Sequence, residues 1–211
     1  MYYDFAYFLE EYLNSGAFVL NLITNSISSL WGIAMYVLTS LGLYTIAKRR
    51  AISKAWLAWI PVINCWLIGC ISDQYRYVVK GQVKSKRKSL LTLTIIEMIL
   101  TVFFVIALTV TIVCGVDASM SVTGYSHIVE DIMVPAIVTL GLLLPIIGVS
   151  IGKAVVYYMA MYDLYTSCSP DNNVLFLGLS IVFRATEPFF VFFNRKNDKG
   201  MPPRRENNLE M

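Results

Sequence analysis

No lysine or arginine precedes Lys48, and none lies between Ser89 and Gly152, so the cations of this 211-residue chain fall into blocks. The blocks constrain the fold because 57% of the residues are hydrophobic and only 15% charged, with a mean hydropathy of +0.63. A soluble domain that apolar would expose oily surface to water. The chain therefore reads as an all-α, polytopic helical membrane protein, one integral membrane domain over residues 1–211. In such a protein lysine and arginine near helix ends mark the cytoplasmic side, so each block assigns a direction to the apolar run beside it.

Met1–Gly16 has Phe5, Phe8, Leu9 and Tyr12 at helical spacing, with Asp4, Glu11 and Asn14 opposite. That pattern predicts an interfacial amphipathic helix. Lacking a basic n-region, the segment does not read as a secretory signal. The first span lies within Ala17–Ala47, most clearly 28–47, and ends at Lys48, Arg49, Arg50 and Lys54, which places its C-terminal end inside. Leu90–Val113 is the second span and runs outward, interrupted only by Glu97. Cys114–Asp131 has no bases and reads as an outside loop. The third span starts near Ile132, carries Pro135 and Pro145, and returns inside past Lys153 toward Tyr165. Gly141, Gly148 and Gly152 share one face of it, which predicts close helix packing there.

Two apolar runs do not fit this scheme as spans. Ala55–Ile71 has basic sequence on both sides, Lys48–Lys54 before it and Arg76–Lys88 after it. A crossing would leave one cluster outside. A short hairpin that enters and leaves on the cytoplasmic side, re-entrant or interfacial, resolves the conflict, and Pro61 supplies its break by removing a backbone N–H; the alternative is a tilted short span, ~17 residues being the lower limit for crossing. Val174–Phe193 faces the same conflict, between the Ser167–Asn173 turn and the basic cytoplasmic tail 194–211, and Pro188 is its expected break. The expectation is thus about three full spans plus two short Pro-broken hairpins. Leu43-Tyr44-Thr45 before the first hairpin matches Leu164-Tyr165-Thr166 before the second, a thin sign of an internal repeat.

In LYTIAKRRAISKAWLAWIPVIN the residues Trp56, Ala58, Ile60, Pro61 and Asn64 spell W-x-A-x-I-P-x-x-N. This segment, about a quarter of the chain with its surroundings, resembles the shared region of small uncharacterised bacterial multi-pass membrane proteins. The resemblance implies a bacterial cytoplasmic membrane, with the N-terminus outside and the C-terminus cytoplasmic by the charge blocks. It supplies no catalytic residue.

The ionisable groups within or beside apolar runs are Glu97, Lys153, Arg184 and Glu187, all in the cytoplasmic half, where Asn64, Asp73 and Asp163 can join them. Intramembrane charge is costly and marks a pathway, a relay or a pair. One reading is a cytoplasm-facing polar vestibule of Glu97, Asn64, Lys153, Arg184 and Glu187. The other is local pairing: Arg184 with Glu187, Lys153 snorkelling, and Glu97 on a base after the first hairpin. His127 with Glu130 and Asp131 is too sparse for a metal site and reads as solvated loop. Gly148–Lys153 fails as a phosphate loop, having three residues between its glycines and Ala154 after the lysine. The four cysteines show no metal spacing and read as small buried hydrophobes. No cofactor, metal, catalytic constellation or nucleic-acid partner is expected. The basic blocks are explained by topology and by anionic lipid on the cytoplasmic side of the bilayer.

Three function classes remain open on these residues. The first is a small permease-like or channel-like module, the second a non-transporting accessory protein that binds itself or another membrane subunit through its small-residue faces, and the third a membrane-embedded enzyme.

Overall fold

The computed structural model describes the backbone of residues 2–83, 85–120 and 125–202, and the side chains of 16–17, 19–83, 85–115 and 133–202. Among these residues the chain is helical apart from short connections, with no strand. The helices are α1 (Tyr2–Arg49), α2 (Asn64–Lys80), α3 (Lys86–Met120), α4 (Tyr125–Cys168), α5 (Asn173–Val182) and α6 (Glu187–Phe193). Single 3-10 turns at Ala55–Trp59, Pro170–Asn172, Arg184–Thr186 and Asn194–Lys196 connect or extend them. Three helical stretches are long and apolar enough to cross a membrane: Val19–Arg49, Lys86–Gly115 and Met133–Cys168, with mean hydropathies of 1.5, 2.6 and 2.3.

The packed core sits at one end. Leu43, Ile46 and Ala47 at the end of α1, Leu67, Ile68 and Ile71 of α2, Leu90 of α3, Met161, Leu164 and Tyr165 near the end of α4, and Val191 of α6 form a single buried cluster. From this compact end the long helices project outward, carrying exposed apolar side chains such as Ile27, Leu30, Val102, Phe103, Leu140 and Leu144. That surface suits hydrocarbon rather than water. Among the described residues α3 and α4 pack along each other, whereas α1 packs on α6, α2 and the 55–59 turn and does not run along either of them. Every described side chain of α1 from 19 to 34 is exposed.

Both short apolar runs double back. Helix α1 ends in a Schellman motif: Ile52 N–H reaches Ala47 O at 3.0 Å and Ala51 N–H reaches Lys48 O at 3.2 Å, with Ala51 left-handed at φ 54°. The chain then descends along α1, and the Tyr36 hydroxyl donates to Trp59 O. Tyr36 lies about 20 Å back from Arg49 by the helical rise. The break falls at 60–63 around Pro61, and α2 returns to Gly81, left-handed at φ 62°. Its return is fastened at both levels. Gly69 lets α2 meet the α3 backbone, since a Cβ there would stand 2.5 Å from Arg87 Cα. Asp73 caps α3 from α2, accepting Lys86 N–H at 2.9 Å and Arg87 N–H at 3.2 Å.

The second run descends as α5, turns at Phe183–Thr186 and returns as α6 against α1, where Gly42 lies beneath Val191 and Phe192. Here the turn comes before the proline. Pro188 sits in the first turn of α6, where its missing N–H costs nothing, so it starts a helix instead of breaking one. Two further boundaries differ from expectation. The backbone is helical over 114–120 and 125–131, which shortens the outside loop expected at 114–131, and α1 is one helix from Tyr2, with no separate interfacial helix at 1–16. The side chains of 1–15, and of His127, Glu130 and Asp131, lie outside the described residues.

Candidate functional site

A polar layer forms on the α3–α4 pair where the start of α2, at Cys65, and the start of α6, at Glu187, come near Glu97 and Lys153. Helical phase brings Glu97 of α3 opposite Ser150 and Lys153 of α4. The Ser150 hydroxyl donates to Glu97 Oε1 at 2.9 Å, and Lys153 Nζ donates to Glu97 Oε2. One turn further along α4, the Tyr157 hydroxyl donates to Glu187 Oε1 at the start of α6. Glu187 is buried, and burial pushes its carboxyl above the usual range, opposed by the Tyr157 hydrogen bond and the charge of Arg184. Arg184 itself is exposed at the tip of the second hairpin.

A second centre lies nearer the compact end. Asp163 of α4 is fully buried, and one of its oxygens, Oδ2, receives the Ser72 hydroxyl at 2.5 Å, Arg76 Nε at 2.6 Å and Lys86 Nζ at 2.8 Å. Lys86 also donates to Met159 O at 3.0 Å. The carboxylate thereby fastens α2, the first turn of α3 and α4 to one another. A carboxylate buried with two cations and a hydroxyl is held because each charge meets an opposite one, and removing any member strands the others.

A third centre closes the C-terminal strap onto the compact end. Arg50, nearly buried, donates through Nη2 to Ser167 Oγ at 2.9 Å and Asp198 Oδ1 at 3.2 Å, and Arg49 pairs with Asp198 at 3.0 Å. Gly200 N–H reaches Ser167 O at 3.1 Å. Cys70 and Cys168 are buried, and burial pushes the Cys70 thiol up to about 11, which leaves it protonated and unreactive at neutral pH.

Of the five residues expected to form one vestibule, the structure joins Glu97 with Lys153 directly and seats Glu187 and Arg184 around the same layer. Asn64 opens α2 beside them, and its side chain bonds to none of these groups among the described residues. The local pairs differ from expectation. Lys153 meets Glu97 rather than snorkelling, and Glu187 takes the Tyr157 hydroxyl in place of Arg184. Gly141, Gly148 and Gly152 have no atom within 4 Å of where a Cβ would stand, so within this chain they are not a packing face among the described residues. Sequence reasoning passed over Ser72, Arg76 and Lys86 around Asp163, and Arg50 with Asp198. Their only signal was a buried-type spacing on elements whose neighbours were unknown. Among the described residues no group of three or more His, Cys, Asp or Glu side chains could hold a metal ion.

Compared with known protein families, with curated proteins and with solved structures, the chain matches none. The class its fold defines is the all-helical multi-pass membrane protein, with three candidate spans gathered at one compact end.

Proposed function

We propose that this is an integral membrane accessory protein whose work is assembly: a module that offers helix faces to other transmembrane helices. The observation that carries this reading is the isolation of α1 among the described residues, where it does not run along α3 or α4 and exposes every described side chain from 19 to 34. A lone monomer of this shape leaves two separate apolar elements in the bilayer. Close packing with other helices joins them. The open glycine faces at Gly141 and Gly148 support the same reading, since small residues let a neighbouring backbone approach. So does the use of the polar groups, which are paired with one another as struts.

In this reading the compact end is cytoplasmic, because it gathers Lys48, Arg49, Arg50, Lys54, Lys86, Arg87, Lys88, Arg195 and Lys196. The two doubled-back runs are then re-entrant or interfacial hairpins on that side, and the resemblance at Trp56–Asn64 supports a bacterial cytoplasmic membrane. The experiment is in-membrane cross-linking through Ile27→Cys, together with co-purification of the wild type and of Gly148→Leu. Assembly predicts a cross-linked adduct and loss of the co-purifying subunit, or of the second copy, in Gly148→Leu. A monomer with no adduct would sink the proposal.

A second reading, a permease-like or channel-like module, is favoured by one observation: Glu97 and Lys153 retain partial exposure, 23% and 28% of their side chains. It predicts flux in proteoliposomes that Glu97→Gln alters. The accessory reading predicts no flux at all.

A further inference from the structure

One groove on the outside of the compact end combines an apolar floor with an unspent cation. It runs along α4 past Ile151, Val155, Met159 and Tyr162, is walled by Leu177 of α5, and has a volume of about 520 Å³. From Ile151 to Tyr162 it extends about 16 Å by the helical rise, close to the ~15 Å of one leaflet's hydrocarbon. At the compact end Arg76 overhangs it. Arg76 commits only Nε to Asp163, at 2.6 Å, and among the described residues its two Nη nitrogens meet no acceptor. Asp163 is shared with Lys86, and Asp73, the other carboxylate beside Lys86, also faces Arg87, so three cations meet two carboxylates and a positive charge is left over. The Tyr162 hydroxyl, also without an acceptor among the described residues, stands beside it.

We infer that this groove is a binding site for one anionic phospholipid. The phosphate meets the Nη edge of Arg76, whose planar fork suits a phosphate, and an acyl chain lies along α4 toward Ile151. The charge argues against a second transmembrane helix as the occupant, because an apolar helix would bury the surplus cation without an anion. A zwitterionic lipid neutralises it less well than a lipid with net negative charge. The inference rests on membrane placement alone and is independent of the assembly role.

The test is native mass spectrometry of the full chain released from detergent, titrated with phosphatidylglycerol, phosphatidylcholine or glycerol phosphate, the last lacking acyl chains. The wild type is expected to retain one phosphatidylglycerol in preference to phosphatidylcholine and to ignore glycerol phosphate. Arg76→Gln is expected to weaken that binding by about tenfold, the loss of a charge-assisted contact. Because Arg76 also steadies Asp163, a second variant is taken at Ala154, which lines the groove as well: Ala154→Trp fills the floor, leaves the ion cluster alone and is expected to abolish retention of the lipid. Equal binding of the two lipids, unchanged binding in Ala154→Trp, or competition by glycerol phosphate would overturn the inference. So would a second copy of the chain in place of lipid.

Discussion

Single residues decide the stability of the compact end. Asp163→Ala strands Arg76 and Lys86 beside a fully buried site, and we expect a loss of about 3–5 kcal/mol, read as a large fall in the unfolding midpoint in detergent. An unchanged midpoint would show that the cluster is not a strut. Glu187 carries a pH signature of unusual sign. Its carboxyl is raised above the reference value of 4.5, so the folded state holds the proton more tightly than the unfolded chain. Its contribution is therefore full below that value and is lost as pH rises from there through the raised pKa. Glu187→Gln keeps an oxygen for Tyr157 and removes the titration, so the variant should be at least as stable as wild type at neutral pH. The difference between the two should vanish toward low pH. Glu97 was legible in the sequence as an acid inside an unbroken apolar run, but its partner was not. Which α4 residue faces it depends on the rotational phase of two helices, and Lys153 lies 56 positions away in the chain. Asp163 was harder still, since it falls near a helix end where charge is ordinarily cheap, and it is the return of α2 and the first turn of α3 that close on it.

At the scale of elements, the helix ends and crossings carry the hairpins. Ala51 holds a left-handed conformation that glycine adopts without strain, at the C-terminal cap of α1. Ala51→Gly should raise stability by about 1 kcal/mol, measurable as a small upward shift in melting temperature. Gly69 works the other way. A methyl group there would meet the Arg87 backbone, so Gly69→Ala should force α2 and α3 apart at a cost of about 1–3 kcal/mol, and a neutral outcome would mean that the crossing is looser than described. The existence of both doubled-back runs was readable from charge placement, a constraint independent of local propensity: basic residues flank the first on both sides, and the second lies between a turn assigned to the inside and a basic tail. Their inner boundaries were not. Proline was expected to break both, yet at Pro61 it interrupts the run and at Pro188 it opens α6, because the same missing N–H is costly inside a helix and free in its first turn. Helical backbone also continues over 114–120, past Gly115 and Asp117, which read as loop.

The whole molecule is fastened at one end. Leu43, Leu67, Leu90, Leu164 and Val191 join α1, α2, α3, α4 and α6 there, with Phe176 and Leu177 of α5 packed against them, while among the described residues α1 beyond this end stands apart from the α3–α4 pair. Charge placement made that one-sidedness legible, because the ends that carry lysine and arginine are the ends that meet in the core. The separation of α1 was beyond the sequence, whose apolar pattern is the same whether a helix faces lipid or another helix. The central claim is that both short runs enter and leave on the side where the three spans are joined. It is tested most directly by cysteine accessibility from each side of the membrane, in a background without Cys65, Cys70, Cys114 and Cys168. The account predicts that Ser53→Cys, Gln82→Cys, Asp171→Cys and Lys199→Cys label from one side and Val122→Cys from the other. Labelling of position 82 or 199 from the same side as position 122 would contradict it.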